Sequence, residues 1–225
     1  MEENFLLIDK EVDWTSNDVV AYLRGKLKVK KIGLSAETKN KRVKVGHAGT
    51  LDPFATGLLI IGVGKDATKR LDEFKNLDKT YEATLQLGEI SNTQDPEGII
   101  TKTNFDSEIS FEQVDTVLKT FLGKQKQIPP MHSAKKVKGQ RLYKLARQGK
   151  EIEREACNIE IYNIKLLNYK YPELSIEIIC STGTYIRQLA QDIGKALECG
   201  AYCLELRRTR IGDYSVEDAK KVKEI

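Results

Sequence analysis

The sequence predicts an α+β fold built on a mixed sheet, and three observations predict it. Six runs rich in Ile, Leu, Val and Tyr have strand length, five stretches carry a helical period, and the helices fall irregularly between the strands. A doubly wound parallel sheet would need regular alternation instead. The expected strands are Phe5 to Asp9, Gly57 to Gly64, Thr80 to Leu87, Cys157 to Asn168, Glu173 to Cys180 and Cys203 to Arg210. Helices fit Asn17 to Leu27, Ala67 to Asn76, Phe111 to Leu122, Arg141 to Gln148 and Tyr185 to Leu197. The first is the best signalled. Thr15 or Ser16 can cap it, and Val19, Val20, Leu23 and Leu27 follow the 3.6-residue period.

Three stretches break this texture. Gly33 to Val45 is polar, basic and aperiodic, and is expected to be a mobile loop. Ile128 to Gly139, IPPMHSAKKVKG, combines a proline pair, small residues and lysines, which predicts an exposed loop leading into a helix. The third is GHAGTLDP, Gly46 to Pro53. Glycines at 46 and 49 permit tight or left-handed backbone, and Pro53 pins the chain after Asp52, so a stiff loop presents one carboxylate at the mouth of the apolar run LLIIGV. Locally, that carboxylate reads equally well as a reactive group and as the cap of a turn.

Composition excludes several classes. A chain of 225 residues with 40% hydrophobic and 31% charged residues is ordinary for a globular protein. No apolar run approaches the roughly 18 residues of a membrane span. The start, MEENFLLIDK, places acids where a signal peptide carries positive charge, so the expected location is the cytoplasm. Four cysteines form no CxxC pair, and the two histidines, His47 and His132, are far apart, so no metal site is expected and the cysteines read as small buried hydrophobes. GVGKD lacks the spacing of a phosphate loop, no GxGxxG occurs, and neither histidine accompanies a nucleophile elbow. The net charge of +4 is modest, but the bases are bunched, first from Arg24 to Lys44 and again from Lys124 to Lys150. Two such segments fit a polyanion partner or a solvated lysine-rich face.

GHAGTLDPFATGLLIIGVGKDATK resembles the catalytic motif of the TruB family of tRNA pseudouridine synthases, and the resemblance spans nearly the whole chain. DWTSNDVV, DKTYEATLQLG, QIPPMHSAKKVKGQRLYKLARQGKE, CSTGTYIRQLAQDIG and GAYCLELRRTRIG follow in the family's order. The resemblance implies the pseudouridine synthase fold, with a mixed, mostly antiparallel central sheet, flanking helices and an RNA-gripping insertion at about residues 124–152. It implies one catalytic domain over 1–225, without the small C-terminal RNA-binding domain of the PUA type that many relatives carry. The implied activity is conversion of uridine 55 in the T loop of tRNA to pseudouridine. The alternatives are a non-catalytic tRNA-binding or tRNA-folding protein and a pseudouridine synthase acting on another RNA. A monomer is expected, with no membrane and no protein partner implied.

Carried over by position, the resemblance makes Asp52 the nucleophile and His47 the residue against the flipped nucleotide. Tyr81 becomes the tyrosine that stacks on the base, Tyr185 the tyrosine beside it, and Arg187 the arginine paired with the catalytic aspartate. Lys69 and Leu206 match further substrate-binding pocket positions, and Lys135, Lys136 and Lys138 lie in the RNA-gripping insertion. The residue types suit the reaction. Uridine isomerisation loses nothing and changes no oxidation state, so no cofactor is expected. A base leaving its stack recovers part of the cost on an aromatic face, and an arginine favours and orients an ionised carboxylate. Attack on the ribose, attack on the pyrimidine ring, and base expulsion through a glycal all remain open.

Three positions depart from the family pattern. Lysine-proline-x-glycine at the opening is replaced by Lys10, Glu11, Val12 and Asp13, so that turn must be made differently. His132 stands where an aromatic is common, and Cys157 where an arginine often precedes the next strand.

Overall fold

The computed structural model describes residues 4–30, 43–105, 107–133, 135–137 and 139–225, with backbone only at 28–30 and 136. The loop expected over Gly33 to Val45, together with Lys31, Lys39, Lys41 and Arg42, therefore lies outside the described residues up to residue 42. In chain order the elements are β1 (Phe5–Lys10), α1 (Ser16–Lys30), β2 (Val45–Ala48), β3 (Thr56–Val63), α2 (Lys65–Lys75), β4 (Lys79–Leu87), β5 (Glu89–Ser91) and β6 (Ile100–Lys102). They continue with α3 (Phe111–Thr120), β7 (Gly123–Gln127), β8 (Lys136–Val137), β9 (Gln140–Arg141), α4 (Leu142–Ala146), β10 (Cys157–Lys170), β11 (Glu173–Cys180), α5 (Ile186–Ala196), β12 (Ala201–Ile211), β13 (Tyr214–Ser215) and β14 (Lys220–Lys221). Among the described residues no helix is long and apolar enough to cross a membrane.

The chain forms two compact units, residues 1–77 with 207–225 and residues 78–206, and the division falls inside β12. In the first unit β3 is central. It pairs antiparallel with β1 along its length, parallel with β12 at Thr56 and Gly57, and antiparallel with β2 from Ile60 to Val63. β14 adds to β1 in parallel and β13 closes a turn on β12. The unbroken apolar run of β3 has a plain cause: both of its faces are covered. Leu58 and Ile60 pack with Phe5, Leu7, Leu71 and Phe74 on the α2 side. Leu59 and Ile61 pack with Ile8, Val19, Val20 and Leu23 on the α1 side.

In the second unit the order is β12, β4, β11, β10, β7. β4 and β11 alternate buried and partly exposed residues, and the buried sets face each other across the ladder: Tyr81 opposite Ile178, Ala83 opposite Ile176, Leu85 opposite Leu174. α5 lays Ile186, Leu189, Ala190 and Ile193 into the core. α3 begins with a capping box in which the Ser110 hydroxyl accepts from Gln113 N and the Gln113 side chain accepts from Ser110 N.

The expected strands all appear, that at Glu173–Cys180 with the same ends, and the five helices follow within a few residues. Strands β2, β5 to β9, β13 and β14 are additional. β7 reads GKQKQ, an edge strand with polar residues on both faces and no apolar period to mark it.

Candidate active site

The segment Gly46 to Pro53 is strand and loop in one. Gly46, His47 and Ala48 belong to β2, and Gly49 to Ala55 turn the chain back into β3. The two glycines act differently from each other. Gly49 has φ +84°, a left-handed conformation that other residues resist, whereas at Gly46 a Cβ would come within 2.9 Å of Leu71.

The loop's backbone is held from several directions within the first unit. The Ser16 hydroxyl accepts from Leu51 N (2.8 Å) and donates to Leu51 O (3.0 Å), gripping the residue next to Asp52 on both polar atoms. Thr15, not Ser16, caps α1: its hydroxyl accepts from Asp18 N, and the Asp18 carboxylate accepts from Thr15 N. The Pro53 carbonyl accepts from Asp13 N (3.0 Å) and from the fully buried Lys10 Nζ (3.3 Å), which also bonds to the carbonyl of Trp14. Asp13 takes φ +66°. The turn that lacks the family's glycine is thus made by an aspartate in the left-handed region, where its short polar side chain is among the better tolerated. The Gly49 carbonyl accepts from Nη2 of the buried Arg208 (3.2 Å). Asp52 itself is partly exposed, and its carbonyl closes the turn by accepting from Ala55 N.

His47 is half-buried on β2, with Nδ1 enclosed and without a hydrogen-bond partner. Burial, then the charges of Arg208 and Lys75, push its imidazole down to about 4, so it is neutral at pH 7. Lys69 lies on the exposed face of α2 with its amine 4.0 Å from Asp66.

In the second unit Arg187 lies in the first turn of α5 and is 4% exposed. Its Nη1 donates to the Asp95 carboxylate (2.9 Å) and the Thr93 carbonyl (2.8 Å), and its Nη2 to the His132 carbonyl (2.6 Å). Asp95, 3% exposed, also accepts from the Thr93 hydroxyl and from Glu97 N. Its loop is tightly wound: a Cβ at Gly98 would fall within 2.4 Å of side-chain oxygens of Ser91, Thr93 and Asn92. Sequence reading missed Asp95, although it stands in the same Asp-Pro pairing as Asp52 and is followed by a turn glycine. His132, one of the departures, meets Arg187 through its backbone, which any residue could supply.

Tyr81 on β4 and Leu206 on β12 are both buried. Tyr185 stands at the N-cap of α5, where its amide donates to the Gln127 side chain and its carbonyl accepts from the same amide group. Burial raises its phenol above the ordinary value, with Ser133 and Lys135 opposing. The Lys135 amine donates to the Cys157 thiol, so that departure from the family pattern gives a lysine an internal partner. The side chain of Lys136 and the whole of Lys138 lie outside the described residues. Beside them Gly139, Gln140, Arg141, Lys144, Gln148 and Lys150 line a concavity of about 450 Å³ with three cations at its rim. Among the described residues no cluster of His, Cys, Asp or Glu has the makings of a metal site.

Known structures place the fold first. The chain matches a chain of a crystal structure of a Cbf5-Nop10-Gar1 complex with a TM-score of 0.68 and 26% identity, over 94% of this chain and 50% of that one. A chain in the structure of an H/ACA RNP bound to a substrate RNA containing 2'-deoxyuridine gives a TM-score of 0.67 at 24% identity, over 98% and 51%. The fold is that of the pseudouridine synthases.

Sequence comparison is more specific. The model of the TruB family pseudouridylate synthase N-terminal domain matches residues 36–186, and that of the tRNA pseudouridylate synthase B C-terminal domain matches residues 187–225. A tRNA pseudouridine synthase B of Parabacteroides distasonis is 46% identical over 220 residues, covering 98% of this chain and 90% of that protein. One of Phocaeicola vulgatus is 47% identical over 221 residues, covering 98% and 91%. The chain belongs to the TruB family of pseudouridylate synthases, which are isomerases.

Proposed function

We propose that the protein isomerises uridine 55 in the T loop of tRNA to pseudouridine, with the base flipped out of its stack and Asp52 as the nucleophile. The observation that carries the reading is the way the loop bearing Asp52 is held. Its carbonyls at Gly49, Leu51 and Pro53 are each fixed by Arg208, Ser16, or Lys10 and Asp13. A nucleophile on so constrained a backbone is pre-positioned, as attack within a single encounter requires. The relatives' names supply tRNA as the substrate.

In this reading Tyr81 stacks on the flipped base, and Tyr185, Leu206 and His47 line its surroundings. Arg187, itself anchored by Asp95, orients the reactive carboxylate and favours its ionised form. Neutral His47 suits a position against a nucleotide, because it offers the RNA a hydrogen-bonding imidazole without a buried charge. The basic insertion grips phosphates, and Arg141, Lys144 and Lys150 line a concavity within it that can receive them. Lys69, exposed on α2, serves as a further RNA contact from the surface.

Tritium release from a T-arm transcript labelled at uridine carbon 5 tests this. Release from the single uridine at position 55 is expected, and its abolition when that uridine is replaced by cytidine. Binding without release, or release from other RNAs but not from this one, would overturn the assignment.

A further inference from the structure

Among the described residues of the first unit, Arg208 is the most fully enclosed cation after Lys10, at 2% exposure. A guanidinium taken out of water costs several kcal/mol unless its donors are answered. Among the described residues the groups that answer it are carbonyls and not carboxylates: Nε donates to Leu58 O (2.8 Å) and Nη2 to Gly49 O (3.2 Å). Those two carbonyls stand at opposite roots of the loop that carries Asp52. Gly49 is where the chain leaves β2, and Leu58 lies in β3 after the loop has ended.

The surroundings are shaped to admit this side chain. Arg208 pairs in parallel register with Gly57, where a Cβ would fall 2.3 Å from the Arg208 carbonyl oxygen. At Gly49 a Cβ would sit 3.4 Å from Nη1. Two glycines of the motif therefore make room for the strand and the side chain that close its neck.

We propose that Arg208 is a positioning residue for the reaction, a staple across the neck of the loop that fixes the direction in which Asp52 is presented. It acts through the backbone, without touching substrate, and the proposal rests on Asp52 being the nucleophile. Arginine suits this place because its planar fork sends separate donors, Nε and Nη2, in fixed directions to two carbonyls, where lysine would offer one compact ammonium on a flexible stem. The same guanidinium bears on His47, two residues before Gly49. The other charge that bears on that imidazole among the described residues is Lys75 on α2, while Arg24 on α1 donates to the Val45 carbonyl of the same strand.

Arg208→Lys and Arg208→Met test the staple, with single-turnover tritium release, transcript affinity and the NMR titration of His47 measured in each. Arg208→Lys keeps the charge and loses the fork. Its release rate is expected to fall about 10- to 100-fold, with transcript affinity within about threefold of wild type, the split expected for a misdirected nucleophile on an intact RNA surface. Its His47 midpoint should stay depressed. In Arg208→Met the midpoint should move up towards the ordinary imidazole value. If Arg208→Met does not fold, Arg208→Lys decides the matter through its rate and affinity.

A wild-type rate in Arg208→Lys overturns the proposal, as does an unmoved His47 midpoint in folded Arg208→Met. So does a loss confined to transcript affinity. If wild-type protein releases no tritium, the functional reading fails on its own. The imidazole titration then still decides whether Arg208 governs this loop.

Discussion

Burial and two nearby cations hold the His47 imidazole at about 4, and this sets a pH window for stability. The unfolded chain takes up that proton near pH 6.5, the folded chain only near 4, so between the two the unfolded state holds more protons. The contribution is fully present above pH 6.5 and is lost as pH falls towards 4, by no more than about 3 kcal/mol. Urea unfolding at pH 7 and pH 4.5 should show a steeper loss for wild type than for His47→Gln, and equal losses would contradict the assigned burial.

Asp13 gives a second residue-scale prediction. With φ at +66°, Asp13→Gly should stabilise the protein by about 0.5–1 kcal/mol, read as a higher denaturant midpoint at unchanged slope. At Asp95, replacement by Ala strands the Arg187 guanidinium in a buried site and should cost about 3–5 kcal/mol of stability, with a large loss of tritium release. The proposed site residues could be named from the sequence because GHAGTLDPFATGLLIIGVGKDATK is a long and specific match to the family motif. Asp95, Ser16 and Arg208 were not, because their importance lies in which backbone atoms they reach across the fold, and spacing along a chain carries no such information.

Among the elements, β3 was readable because an unbroken apolar run bounded by glycines admits few interpretations. The structure supplies the reason for the run in the two covered faces. α1 is readable from its period, but the sequence alone does not decide between Thr15 and Ser16 as its cap. The structure divides the work: Thr15 caps the helix and Ser16 grips Leu51. Ser16→Ala should therefore leave α1 capped while freeing both polar atoms of Leu51. We expect a loss of about 1–3 kcal/mol by denaturant unfolding and a fall in the rate of release. Thr15→Ala should cost about 1 kcal/mol and leave the rate nearly unchanged, a contrast that separates helix stability from loop geometry. β2 went unseen because Gly46 and Gly49 read as turn formers. Only Gly49 has a left-handed backbone, while Gly46 makes room for Leu71.

For the whole molecule, the division into two compact units left no mark in the sequence. No run rich in proline, glycine or serine stands at either boundary, and one boundary falls inside β12. The basic bunching was plain, but which cations face outward was not. Lys135 turns to Cys157, while Arg141, Lys144 and Lys150 rim a concavity. Replacing those three by Ala should weaken transcript binding and reduce the salt slope of log affinity by about 2 to 3, and an unchanged slope would remove them from the RNA surface.

Asp52→Asn bears most directly on the chemistry. The substitution keeps the size of the side chain and the backbone of the loop, but removes the carboxylate to which the proposed function assigns the attack. With the labelled T-arm transcript, Asp52→Asn protein should bind within about threefold of wild type and release tritium at less than about one-thousandth of its rate. Release at the wild-type rate would contradict the assignment of Asp52 as nucleophile.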